Sequence, residues 1–326
     1  MAGVLNRSIQ ETPFAIIDLE TTGLNAGADR VVEVAVVRKD PGGKPRLVLN
    51  TLVNPHRLMS ATEIHGITDD DVHDAPDFGA VSGELIRALA DCVVAAYNVY
   101  FDMRFMVDEF ARIGLRRSVP HVCLMYLRPM LDLGPRRSLR DACGEHGIRH
   151  DNLHVAAQDA TASSCLMELY LDTLRRMRVE TFQQLTALSD YKFLASLHNE
   201  PLSVFSAVSL SETTAKFKPR GPVVLPSVAP EVQRQAVADY WDALTSVLAD
   251  LDISEEEASQ LGQKRKKLKI HSEQVRMLHA RAFAGAINHF TRDQWLDESE
   301  CDKLHRLHQC LDRLGWAPGK PVAANA

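Results

Sequence analysis

The sequence predicts an α/β fold, a mixed sheet flanked by helices, followed by a second, all-α domain. Three observations carry this reading. Strand-like apolar runs cluster in the first 125 residues, helical periodicity alternates with them up to about residue 178, and a proline-rich break near 198–230 leads into sequence with helical patterning only.

The first strand is read over 14–19, where Phe14-Ala-Ile-Ile-Asp-Leu is apolar enough to be buried on both faces. Runs at 31–38 and 46–53 follow, separated by Asp40-Pro-Gly-Gly-Lys-Pro45, a turn signal that makes them a meander. Helical periodicity over 80–91 precedes a fourth strand at 93–97, and another helix over 102–114 precedes a weaker strand near 121–125. Helices are then expected over 138–147 and 155–178, with helix-like sequence continuing from Thr181 to Leu197. Beyond the break, Ser254-Glu-Glu-Glu257 and Asp297-Glu-Ser-Glu300 are capping segments that open further helices. The expected organisation is a domain over 1–180, a helix and proline-rich linker over 181–230, a helical accessory domain over 231–316 and a flexible tail over 317–326.

Chemistry is concentrated in the first domain. Asp18 and Glu20 stand two apart at the end of the first strand, so their side chains project to one face. Unpaired, such carboxylates repel each other and resist ionising. Hard, oxygen-seeking cations such as Mg²⁺ or Mn²⁺ relieve that repulsion. Seen alone, the pattern is more often a strand running into a polar turn. Two further segments change the balance. The strand Val93-Val-Ala-Ala-Tyr-Asn98 leads to Asp102 at a strand-to-helix junction, and His154-Val-Ala-Ala-Gln-Asp159 opens the helix at 155–178. A five-residue spacing puts His154 and Asp159 on different faces of an ideal helix, which places His154 before the first turn and Asp159 on it.

Taken in order, these motifs resemble the DnaQ-like (DEDDh) 3′–5′ exonucleases, including the proofreading epsilon-type domain, over about residues 13–175. Asp18 and Glu20 fit the first motif, Asp102 the second, and His154 with Asp159 the third; Ile64-His-Gly-Ile-Thr68 is similar to a further family element. The chain departs from the pattern at Tyr97, where relatives usually carry His, and at Cys123-Leu124, where they often carry Asp-Thr. The resemblance implies a ribonuclease H-like fold in which Asp18, Glu20, Asp102 and Asp159 hold two Mg²⁺ or Mn²⁺ ions roughly 3.5–4 Å apart. It implies His154 as general base and release of nucleoside 5′-monophosphates from a free 3′ end, with single-stranded DNA in proofreading or repair as the expected substrate. An RNA-trimming enzyme and a catalytically silent nucleic-acid or partner-binding scaffold are the alternatives.

The resemblance also offers Thr21, Thr22, Gly23, Leu24, His65, Asn98 and Phe105 as the pocket for the terminal nucleotide. Three of them have a plainer reading: Leu24 as cover for the sheet edge, His65 as a turn residue bonded to backbone, and Phe105 as core.

A formal net charge of −6 argues against a broad, sequence-independent grip on duplex nucleic acid, which needs many phosphate contacts from Lys and Arg. It leaves room for local contacts, of which Arg136-Arg137 is the preferred one. The Lys264-Arg-Lys-Lys-Leu-Lys269 run is more often a solvated helix face than a binding site. Six scattered cysteines favour reduced thiols, and Cys301, His305, His308 and Cys310 read as one amphipathic helix rather than a zinc site. With no apolar run near the roughly 20 residues that span a bilayer, a cytoplasmic location is expected. The C-terminal half faintly resembles TerB-like helical modules and is expected to engage a protein partner.

Overall fold

The computed structural model describes residues 3–150, 154–203, 231–248, 254–290 and 297–319. Most of the linker expected over 198–230 and of the tail expected over 317–326 lies outside these residues. The chain divides into two compact units, Met1–Thr22 with Arg30–Pro226, and Gly23–Asp29 with Ser227–Ala326.

The first unit is built on five strands: β1 (Phe14–Thr21), β2 (Val31–Lys39), β3 (Arg46–Leu52), β4 (Val93–Ala96) and β5 (His121–Cys123). Their order is β3-β2-β1-β4-β5. The β1–β2 and β2–β3 pairs are antiparallel, whereas β4 runs parallel to both β1 and β5. The mixed sheet follows from connection length. Asp40–Pro45 is short enough for an antiparallel turn, while the segments that reach β4 and β5 hold helices and permit parallel pairing. Central strands β1, β2 and β4 are buried almost throughout, matching their unbroken apolar runs.

Helices α1 (Thr62–His65), α2 (Asp69–His73) and α3 (Phe78–Leu89) precede β4, and α4 (Val99–Arg112) follows it. Next come α5 (Leu124–Met130), α6 (Leu139–Glu145), α7 (Ala156–Arg176) and α8 (Phe182–Thr186), then a 3₁₀ helix over Lys192–His198. The 21-residue α7 packs on β1 and β2 through Leu166, Met167, Tyr170 and Leu174, all essentially buried. Its burial of about four large side chains contributes several kcal/mol and ties its first turn to the sheet. The strand expected to run to residue 125 stops at Cys123, because α5 begins at Leu124.

The second unit contains the helices Glu231–Val247, Glu255–Leu268, Ser272–Phe290 and Glu298–Arg313. Capping boxes form at Ser254/Glu257 and Asp297/Glu300, as the sequence predicts. Its core includes Tyr240, Leu244, Leu278, His279 and Leu311. A groove of about 710 Å³ is rimmed by Arg265, Lys266, Lys269 and Arg313 over Ala258 and Leu314. No helix among the described residues is long and apolar enough to cross a membrane.

Candidate active site

The site is assembled at the ends of three elements. Asp18 and Glu20 lie near the end of β1, on one face of the strand, with Asp18 opposite Ala35 and Glu20 opposite Glu33. The register shifts between Glu20 and Thr21, a bulge that re-aims the strand just beyond the carboxylates. Asp102 occupies the first turn of α4 and Asp159 the first turn of α7. Helix N-termini carry partial positive charge, which makes them tolerable places for buried acids.

The acids face one another. Asp18 is pushed well above the usual carboxylate range by burial, and then by the charges of Asp159, Asp102, Glu20 and Glu33. Asp102 is raised to about 8, chiefly by burial; backbone hydrogen bonds from Asp102 and Leu19 pull it down, and Asp159 pushes it up. Glu20, Asp102 and Asp159 are each about 5 % exposed, too little for water to screen the repulsion. Such a cluster calls for positive charge. Glu20, His154 and Asp159 each present a ligand atom within 4.8 Å of the other two, a donor set that suits a divalent cation.

His154 precedes α7 and Asp159 lies on its first turn, as the five-residue spacing implies. His154 has φ 57°, a left-handed backbone that costs a non-glycine residue of order 1 kcal/mol or more. In that conformation its N–H donates to Asp159 Oδ2 at 3.0 Å, while its Nδ1 lies 3.8 Å from Glu20 Oε1.

Two residues missed in the sequence complete the site. His150 Nε2 lies 2.5 Å from Asp159 Oδ1, with both side chains buried. Glu33, 3 % exposed, accepts a hydrogen bond from the N–H of Ala156, the first residue of α7, at 3.1 Å. Burial raises Glu33 to about 7 despite that bond, and the charge of Asp159 adds to the rise. Signals for both were present: a lone carboxylate inside the apolar run Val31-Val-Glu-Val-Ala-Val36, and a histidine four residues before His154.

The residues expected to receive a nucleotide come from several segments. Thr21 and Thr22 are buried at the end of β1, where Thr22 exchanges hydrogen bonds with the backbone of Arg30. Gly23 and Leu24 fall in the 23–29 stretch, which groups with the second unit. His65 is 3 % exposed, and its Nδ1 accepts from the N–H of Ile67, the turn reading of that residue. Asn98 sits at the N-cap of α4, with Oδ1 buried and without a hydrogen-bond partner among the described residues. Phe105 does not offer a stacking face. Its ring is 1 % exposed and packs 5.1 Å from Phe101, because position 105 falls on the core side of α4. Arg136 donates to the Tyr126 hydroxyl and lies over its ring, and Arg137 pairs with Glu145, so protein groups already engage the turn favoured for phosphate contact.

Residues 15–167 match the RNase T family, described as Exonuclease. The N-terminal half of the chain is a DnaQ-like exonuclease domain of that family. It is 40 % identical over 167 residues to a PolC-type DNA polymerase III of Bacillus subtilis (strain 168), covering 50 % of this chain and 12 % of that protein. It is 27 % identical over 184 residues to the 3′-5′ exonuclease DinG of Staphylococcus haemolyticus (strain JCSC1435), covering 55 % of this chain and 20 % of that one. The chain therefore spans a fifth or less of the length of these curated relatives. Among solved structures, E. coli exonuclease I in complex with a dT13 oligonucleotide aligns with a TM-score of 0.43 at 21 % identity, over 54 % of this chain and 46 % of that one. These matches lend no support to the TerB-like resemblance of the C-terminal half. For the exonuclease domain, family membership implies a divalent metal, and its buried acids fit that requirement.

Proposed function

We propose that the exonuclease domain is a metal-dependent 3′–5′ exonuclease that releases nucleoside 5′-monophosphates from single-stranded DNA, in proofreading or repair. The observation that carries this reading is the mutual electrostatic strain of Asp18, Glu20, Asp102 and Asp159, with His154 at their edge. Asp18, Glu20, Asp102 and Asp159 would hold two Mg²⁺ or Mn²⁺ ions. Bound there, such ions supply Lewis-acid polarisation of the phosphate and a lowered pKa for water. His154 takes the water's proton. With Nδ1 turned toward Glu20, Nε2 is the nitrogen that accepts it. The left-handed backbone at His154 and its N–H bond to Asp159 hold the imidazole beside the carboxylates. DNA is favoured over RNA because a matched relative is a DNA polymerase. Thr21, Thr22, Gly23, Leu24, His65 and Asn98 remain proposed contacts to the terminal nucleotide. The helical unit is proposed to recruit a partner or steady the strand, a role its cationic groove supports.

The test uses the full chain on 5′-labelled single strands of DNA and RNA, with Mg²⁺, Mn²⁺ or EDTA. Expected is stepwise shortening of DNA from the 3′ end, abolished by EDTA and by Asp18→Ala. Metal-independent release, or an Asp18→Ala variant as active as the parent, refutes the mechanism; faster RNA cleavage refutes the substrate.

A further inference from the structure

Both carboxylate oxygens of Asp159 are engaged by the protein, one by His150 Nε2 at 2.5 Å and the other by the His154 backbone N–H at 3.0 Å. His150 lies outside the motif that supplies Asp159 and His154, and its side chain is 2 % exposed. A buried ring nitrogen is costly unless it is hydrogen-bonded, and the short bond to the Asp159 carboxylate meets that need for Nε2. We infer that His150 is a positioning residue, which fixes the Asp159 carboxylate for the divalent cation through an Nε2–H donated to Oδ1. The inference rests on the metal-dependent reading of the site.

The chemistry favours histidine here. A carboxylate oxygen has two lone-pair directions, so it can accept one hydrogen bond and still bind a cation. Neutral imidazole donates without adding charge. A lysine or arginine at the same distance would donate equally well, but its positive charge would offset the carboxylate and oppose the incoming ion. Outer partners of this kind set ligand orientation and basicity, and their loss typically costs about 10–100-fold in metal affinity or activity. With the backbone N–H of His154 bonded to the same carboxylate, the placement of the base also depends on Asp159.

The test compares His150→Phe, which keeps a planar ring and removes the donor, with His150→Gln, which restores one. Binding of Mn²⁺ to the full chain is measured by calorimetry, beside the Mg²⁺ concentration that gives half-maximal hydrolysis of a single strand. Expected for His150→Phe is about 10–100-fold weaker Mn²⁺ binding and a matching rise in half-activating Mg²⁺, with KM for the strand within twofold of the parent. His150→Gln recovers most of the Mn²⁺ affinity. A folded His150→Phe that binds Mn²⁺ like the parent overturns the inference, as does a His150→Gln no better than it. Should His150→Phe fail to fold, nitrogen NMR of the parent decides. A protonated, hydrogen-bonded Nε2 at His150 upholds the inference, and a bare Nε2 overturns it. If the parent binds Mn²⁺ and His150→Phe weakens that binding, yet the parent hydrolyses no strand, the exonuclease reading fails while the role of His150 stands.

Discussion

Replacing Glu33 by Gln isolates the cost of the buried charge. Glu33 is 3 % exposed, faces Glu20 across the β1–β2 pair, and is raised from 4.5 to about 7 by burial, then by Asp159. Since the folded state holds this proton more tightly than the unfolded chain, stability from this group is complete below pH 4.5 and is lost as pH rises through 7. A rise from 4.5 to about 7 corresponds to about 3 kcal/mol at pH 8. An opposing gain comes from placing a negative charge at the start of α7, but that is worth only about 0.3–1 kcal/mol. Burial therefore wins. Gln keeps an oxygen to accept the Ala156 N–H and cannot ionise, although its amide must find an acceptor of its own. The net expectation is a metal-free variant more stable at pH 8 by about 1–3 kcal/mol, or about 2–10 °C in Tm for a unit of this size, and unchanged at pH 4. Scanning calorimetry in EDTA at the two pH values makes the measurement. A lower Tm at pH 8, or the same shift at both values, refutes the reasoning.

Three other outcomes are expected. His154→Ala lowers turnover about 10²–10⁴-fold with little change in strand KM, read from initial rates in saturating Mg²⁺. Glu109, 1 % exposed, accepts from Arg30 Nε at 2.7 Å, Arg30 Nη2 at 3.0 Å and the Val31 N–H at 3.3 Å. Glu109→Ala strands a partly exposed guanidinium and a buried N–H, and should cost about 2–4 kcal/mol in urea unfolding after allowance for solvent around Arg30. In the helical unit, His279 bonds Tyr240 and the carbonyl of Trp316, and burial lowers it from 6.5 to about 4. The unfolded chain then takes up the proton first, so stability present above pH 6.5 falls by about 3 kcal/mol toward pH 4. Trp241 and Trp316 belong to that unit, so tryptophan fluorescence in urea reports this slope, which His279→Gln should flatten.

Strand and helix order in the first unit was legible from residue pattern, because apolar periodicity is a local property that burial must satisfy wherever the segment lands. Local spacing also placed Asp18 and Glu20 on one face, and put His154 ahead of the helix that carries Asp159, since both follow from chain geometry over a few residues. The capping boxes at 254 and 297 were legible for the same reason. Which groups meet across the fold was settled by packing. Register set Glu20 against Glu33, which depends on how the connection between β1 and β2 closes rather than on either strand's own pattern. Helix α4 turned Phe105 into the core instead of toward a ligand, a choice that depends on which stripe of an aromatic-rich helix meets the sheet. His150 meets Asp159 from outside any helix or strand, where neither period reports which groups touch. Asp159 raises Asp18 and Asp102, and Asp102 raises Asp18, only because β1, α4 and α7 meet at one place, and that convergence is a property of packing.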